Sequence, residues 1–342
     1  MTFRGFGSDN HAGVHPQVLT AIEAANREHV HAYGEDPWTE RAIELLLDRF
    51  GPDTDVALVW NGTGANVVAL SAVCRPWESV ICPATAHINT DECGAPEHIG
   101  NIKLVPIETP DGKLTPDLVR PALTGFDFEH HAQPRVISIS QVSEYGTVYS
   151  AGEIRALADL AHEHGMFLHM DGARIANAAV ALDLAFREFT VDAGVDLLSF
   201  GGTKNGMLAG EAVLLFGDGR APHLKYVRKQ SAQLASKMRF VAAQFIAMLD
   251  GDLWRRCAAN ANHMAKMLAD GARKLDVEVT QSPQANEVFA LLSRERAAHL
   301  AEEFHFYVWD ERPGHDDVEV RWVTSWDTTK DDVDALLEAL AG

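Results

Sequence analysis

The chain has 342 residues, 46% of them hydrophobic, enough for a sizeable core organised as one large domain plus a smaller one. A formal net charge of −20 argues against nucleic acid or an anionic membrane surface as partner, because phosphate binding needs a basic footprint. The first residues lack the apolar core of a signal peptide and no apolar run approaches the roughly 18–20 residues that span a bilayer, so a cytoplasmic protein is expected.

The first strand-like run is Val56–Trp60, which breaks at Asn61-Gly62-Thr63-Gly64 before a helical stretch over Ala65–Cys74. Short strands follow at Ser79–Cys82, Ile102–Ile107 and Val136–Ser140. Gly152–His164 carries apolar residues at helical spacing, with Gly165 as its stop. Met166–Met170, Val195–Phe200 and Glu211–Phe216 add three more strands. Strands alternating with helices predict an α/β fold, a mostly parallel sheet sandwiched by helices. A long helical stretch is expected from about Leu224 to Leu275. Beyond it the pattern changes to strands at Val277–Thr280, Glu287–Leu292, Phe306–Trp309 and Val318–Val323, with helices over Arg294–Glu303 and Lys330–Leu340. This reads as a small α+β unit over 251–342, behind a larger α/β domain over 1–250, with the first residues of the chain as a possible addition to the small unit.

Two of these strands end in residues that carry chemistry. Leu168–Met170 leads into Asp171-Gly172-Ala173-Arg174, and Leu197–Phe200 leads into Gly201-Gly202-Thr203-Lys204-Asn205-Gly206. In open α/β sheets ligands sit at the carboxyl ends of the strands, so an acid and an amine are expected to share one crevice. That pair suits pyridoxal phosphate: the lysine forms the Schiff base and the aspartate keeps the pyridine nitrogen protonated. The glycines beside Lys204 would let a flat ring approach the backbone. Read singly, Lys204 fits an exposed lysine in a glycine turn equally well, and Asp171 a turn residue or helix cap.

Asn61-Gly62-Thr63-Gly64-Ala65-Asn66, at a strand-to-helix junction, is a candidate phosphate cup built from backbone N–H groups and the Thr63 hydroxyl. It matches neither the P-loop nor the dinucleotide fingerprint, which counts against a nucleotide ligand. His87 follows the Val80–Pro83 strand and could stack on a planar cofactor or relay protons. Arg174 has the planar fork that suits a carboxylate; its plainer reading is a salt-bridge arginine. None of the 16 histidines forms H-E-x-x-H, so no metal is expected. Cys74, Cys82, Cys93 and Cys257 show no C-x-x-C spacing and read as reduced thiols, mostly buried.

Longer stretches carry a resemblance. Ser8-Asp9-Asn10, His31 to Gly34, Asn61 to Asn66, Ala86-His87, Thr90 to Glu97, His169 to Arg174, Phe200 to Met207, Gln233 to Arg239 and Val320 to Asp327 together resemble the low-specificity L-threonine aldolases. These are fold-type I pyridoxal-phosphate lyases related to the wider β-eliminating lyase group, and the Gly-Gly-Thr-Lys-Asn-Gly-Met segment is closest to a bacterial branch. Asn10 stands where many members have threonine.

The resemblance implies a role for each matching position. Lys204 would hold the cofactor as a Schiff base, Asp171 would pair with the pyridine nitrogen and His87 would stack on the ring. Gly62, Thr63 and Gly64 would form the phosphate cup, and Ser8, Arg174 and Arg321 would hold the substrate carboxylate. The reaction implied is reversible retro-aldol cleavage of L-threonine, L-allo-threonine and related β-hydroxy amino acids to glycine and an aldehyde. His87 is the first candidate for the base that takes the hydroxyl proton, and His131 the second. The family also implies a homodimer or homotetramer with shared active sites. Lys225, Arg228 and Lys229 are candidates for residues lent to a partner, although a solvated helix face is the favoured reading. Open alternatives are a preference for bulky substrates such as L-phenylserine, another pyridoxal-phosphate reaction (elimination, amino transfer or racemisation), and a scaffold reused for binding.

Overall fold

The computed structural model describes residues 5–217 and 222–342. Its main sheet contains β1 (Thr54–Val59), β2 (Glu78–Pro83), β3 (Lys103–Ile107), β4 (Gln133–Ser140), β5 (Phe167–Gly172), β6 (Leu197–Gly201) and β7 (Glu211–Phe216), in the spatial order β1-β7-β6-β5-β4-β2-β3. β7 runs antiparallel to both neighbours, β1 and β6, while the β6-β5-β4-β2-β3 pairings are all parallel. The mostly parallel α/β sheet expected from the alternation is therefore the observed one.

Side chains alternate between the two faces of each strand, and each face has its own core. On β7, Ala212, Leu214 and Phe216 join the larger core, where the Pro37–Phe50, Ala151–Glu163, Ile175–Leu182 and Arg239–Leu249 helices pack. Val213 and Leu215 face the other way, against Ala65, Val68 and Ala69 of the Gly62–Val73 helix. Burial on both faces explains why β6 and β7 are mostly apolar on both sides, whereas β4 and β5 keep the buried polar residues Ser138, Ser140, His169 and Asp171.

Helix ends follow local chemistry. The Asn61 side chain accepts a hydrogen bond from Gly64 N at 2.7 Å and so starts the Gly62–Val73 helix at the β1 terminus, three residues earlier than the apolar pattern suggests. Ser150 and Glu153 cap the Ala151–Glu163 helix reciprocally.

The expected helical stretch from Leu224 to Leu275 is in fact three helices, Leu224–Gln230, Arg239–Leu249 and Leu253–Lys274. The chain leaves helical geometry at Ala232, with φ of 59°, and turns Gln233 inward so that its Oε1 accepts from Trp60 N at 3.0 Å. Val277–Thr280 is not a full strand; Val279 makes an isolated bridge to Ala290.

A second sheet, with order β8-β10-β9, is formed by β8 (Glu287–Ser293), β9 (Tyr307–Asp310) and β10 (Asp317–Val323), all antiparallel. Its core takes Val318, Val320 and Trp322 of β10, the second half of the Leu253–Lys274 helix, and Phe6 from the start of the chain. Phe6 is pinned there by its backbone, donating to Phe304 O at 2.9 Å and accepting from Val323 N at 2.7 Å. Among the described residues no helix is long and apolar enough to cross a membrane.

Phe6 is 2% exposed, so Phe6→Ala removes a whole ring from a closed core. The expected loss is ~3–5 kcal/mol in denaturant-unfolding experiments; a loss below ~1 kcal/mol would show that the N-terminal segment is not part of that core.

Candidate active site

The carboxyl ends of the parallel strands converge on one cavity of about 550 Å³. β1 delivers Gly62 and Thr63, the segment after β2 delivers His87, β4 leads to Glu144, β5 ends in Asp171 with Arg174 beyond it, and β6 leads to Lys204. The N-terminal segment adds Ser8, and the second sheet adds Trp309 and Arg321. Eight of the residues singled out from the sequence thus share one space: Ser8, Gly62, Thr63, His87, Asp171, Arg174, Lys204 and Arg321.

Two others do not line it. Gly64 sits behind the cup, where a Cβ would lie 2.2 Å from the Gln233 amide, so its smallness admits Gln233. His131 is exposed on the loop before β4, its ring 5.2 Å from that of Phe128. His131 is therefore not placed to act as the base within this chain, because the loop that carries it folds over its own Gly125 and Phe128.

Lys204 lies on a 3-10 turn, Thr203–Asn205, directly after β6. A Cβ on Gly201 would come within 2.4 Å of Ala173 O, and one on Gly202 within 2.7 Å of Gly210 O. These glycines let the Lys204 turn close against the Asp171 loop, rather than making room for a ring. Among the described residues, the Lys204 ammonium makes no hydrogen bond or ion pair.

Asp171 is held at both oxygens: Oδ1 accepts from Ala173 N at 2.9 Å and Oδ2 from Asn66 Nδ2 at 2.8 Å. The same Asn66 amide donates to Glu92 Oε1 at 2.8 Å, and His87 Nδ1 donates to that oxygen at 2.9 Å. The Glu92 carboxylate and the buried Asn66 amide therefore tie the histidine to the aspartate. Hydrogen bonding to Glu92 outweighs desolvation and holds the His87 imidazole above its ordinary value. His169 points to the same face as Asp171 but is a core residue, with Nδ1 at 2.8 Å from Ser138 Oγ and Nε2 at 3.2 Å from Ser199 Oγ. Burial pushes it down to about 4, which keeps it neutral.

Arg174 is largely spent within the protein. Its Nε donates to Asp9 Oδ2 at 2.6 Å and its Nη2 to Asp9 Oδ1 at 3.1 Å, which leaves Nη1 for a ligand. Burial works against both charges, but each holds the other ionised: Arg174 and nearby Lys204 keep Asp9 below the usual carboxylate range. Arg321 lies over the Trp309 ring at 4.6 Å, and its Nη1 is 3.5 Å from Glu287 Oε1. Glu287 is fully buried and also 3.7 Å from Arg174 Nη2.

Sequence reasoning gave no role to Asn66, Glu92, Asp9, Glu144 or Glu211. Asn66, Asp9 and Glu92 lay inside the motifs already noticed; nothing local marks Glu144 or Glu211. Glu211, at the start of β7, accepts from Gly202 N at 2.6 Å beneath the Lys204 turn, and burial pushes its carboxyl up to about 7.

The chain matches the profile of the beta-eliminating lyase family over residues 5–295. It is 43% identical over 326 residues to the low specificity L-threonine aldolase of Pseudomonas aeruginosa, spanning 94% of this chain and 93% of that protein. The corresponding Escherichia coli protein is 28% identical over 277 residues, 79% of each chain. A solved threonine aldolase from Leishmania major superposes with a TM-score of 0.93 at 30% identity, covering 98% of both chains. The chain belongs to the beta-eliminating lyase family, within its low-specificity L-threonine aldolase group.

Proposed function

We propose that this chain is a pyridoxal-phosphate-dependent aldehyde-lyase that cleaves L-threonine, L-allo-threonine and related β-hydroxy-α-amino acids, reversibly, to glycine and an aldehyde. The observation that carries the reading is the convergence of an unpaired lysine, a doubly anchored aspartate and two arginines on one cavity beside an open helix N-terminus.

The residues present fit the cofactor. Gly62 has open space where its Cβ would stand, and with Thr63 it opens a 12-residue helix whose first N–H groups suit a phosphate. Asp171 presents an anchored carboxylate for the pyridine nitrogen, and Lys204 is the amine for the aldehyde. Pyridoxal phosphate, when bound, would supply an electron sink for the pair left on Cα when the Cα–Cβ bond breaks.

The chain's own residues then have three tasks. Asp171 would hold a proton on the ring nitrogen, and Asn66 and Ala173 N keep that carboxylate from rotating away. His87, fixed by Glu92, would stack on the ring. Ser8, Arg174 Nη1 and Arg321 take the substrate carboxylate and set which bond at Cα stands across the ring. Trp309, with Tyr145 and Phe289 behind it at 5.8 and 5.5 Å, forms an aromatic wall that favours bulky substrates such as L-phenylserine as a second reading. Trp60, 41% exposed while lining the cavity, supports a homodimer or homotetramer whose partner covers it, and we propose a cytoplasmic location for the assembly.

The test is release of aldehyde and glycine, in equal amounts, from L-threonine by the cofactor-loaded protein, with L-phenylserine in parallel. Aldehyde from neither substrate would refute the aldolase reading, and the ratio of the two rates decides between small and bulky substrates. Lys204→Ala is expected to abolish turnover and the absorbance of lysine-bound cofactor; normal activity in that variant would remove the lysine from the chemistry. Arg321→Ala is expected to raise KM for threonine by roughly 10- to 100-fold, the worth of a charge-assisted hydrogen bond, with cofactor retained. Unchanged kinetics would take Arg321 out of the carboxylate site.

A further inference from the structure

Glu144 lines the cavity on the loop after β4, next to His87. Its Oε1 accepts from His87 N at 2.9 Å and from Ser140 Oγ at 2.8 Å, so that oxygen is fixed. Oε2 is buried and has no hydrogen-bond partner among the described residues. A buried acceptor left unspent is costly unless a ligand or a function uses it.

Most other acid–base groups around the cavity are committed elsewhere; Asp91, also on its lining, is exposed and accepts from the Thr90 hydroxyl at 2.8 Å. His87 Nδ1 is bound to Glu92, and in the reading above the face of its ring is given to the cofactor. Glu92 Oε1 is shared between His87 and Asn66; its Oε2 is also unpartnered among the described residues, but Glu92 does not line the cavity. Glu211 is bonded under the Lys204 turn. Lys204 would be spent on the cofactor.

We infer that Glu144 is the acid–base catalytic residue for the β-hydroxyl, its Oε2 taking the hydroxyl proton in cleavage and giving one back in synthesis; this rests on the aldolase reading above. The step balances. The O–H bond breaks and its electron pair becomes the second bond of the aldehyde C=O. The Cα–Cβ pair stays on Cα, which gains one proton to complete glycine. Glu144 passes its proton to solvent, so one proton leaves the hydroxyl, one arrives at Cα, and no oxidant or reductant is needed.

The groups facing this carboxyl are Asp171 from β5, Arg174 beyond it, the His87 segment, Cys82 in β2 and Tyr149 beyond its own loop. Burial, with the Asp171 charge, pushes Glu144 up to about 7 against the pull of hydrogen bonding from Ser140, from His87 N and from its own backbone. A group poised there exchanges protons at neutral pH in either direction.

The experiment compares two reactions of the holoenzyme: threonine cleavage, which needs the hydroxyl proton removed, and exchange of a glycine α-hydrogen with heavy water, which does not. Glu144→Gln is expected to lower kcat for cleavage by about 10²–10⁴-fold, with cofactor absorbance and glycine exchange little changed. In the unaltered enzyme, cleavage is expected to fall on the acid side through about pH 7 while exchange does not. Cleavage by Glu144→Gln at the normal rate, or a parallel fall in exchange, would overturn the assignment. Should the variant not fold, an acid limb shared by both reactions, or missing from cleavage, overturns it equally. Failure of the unaltered holoenzyme to release aldehyde is a separate result, which refutes the aldolase reading itself.

Discussion

The buried pair between Arg174 and Asp9 joins three distant stretches of chain. Asp9 comes from the N-terminal segment and Arg174 from beyond β5; Asn286, just ahead of β8, donates to Asp9 at 3.2 Å and to Thr324 O at 2.8 Å. Neither charge is well hydrated, and a buried pair of this kind adds little net stability while making either partner's loss expensive, about 3–5 kcal/mol. Its value is positional. The clamp that neutralises Arg174 also draws Ser8 and the β10 residue Arg321 up to a cavity that the main sheet could not complete by itself.

The electrostatics of the cavity present a puzzle that the hydrogen bonds resolve. A chain of formal charge −20 must admit a phosphate and a substrate carboxylate into a site surrounded by Asp9, Asp171, Glu92, Glu144, Glu211 and Glu287. Asp9 is cancelled by Arg174, and Glu92 is bonded to His87 and Asn66. Glu287 lies close to both arginines. Glu144 and Glu211 are pushed up to about 7, so each carries only part of a charge near neutrality. What remains for incoming anions is the helix N-terminus at Gly62, Lys204, Arg174 Nη1 and Arg321.

Much of this was legible in the sequence where the determinant is local. Glu211–Phe216 is a strand at the expected bounds because the run from Ala212 to Phe216, buried on both faces, is apolar at every position. Lys204 and Asp171 stood out because each ends such a run. The expected continuous helix to Leu275 failed at Ala232 and Gln233, where a contact with Trp60 about 170 residues away outweighs local helical pattern. Asn66 and Asp171 are separated by 105 positions, so nothing near either residue announces the bridge between them. His131 drew notice as a histidine of suitable chemistry, and only the path of its loop removes it. Glu144 drew none, since a single glutamate in a loop looks like solvent-facing charge until the fold buries it.

The polar stripe on β5 has a consequence for how the sheet assembles. His169 reaches Ser138 on β4 and Ser199 on β6, so three adjacent strands are stitched by side chains as well as by their backbone ladders. Leu168 and Met170, between and beside the polar positions, face the larger core. A slip of β5 by one residue would drive His169 and Asp171 into that apolar layer and expose two apolar side chains on the side where the serines wait. Misregistered pairings are thus penalised twice, and the strand that carries Asp171 to the cavity has a single alignment in which both of its faces are satisfied.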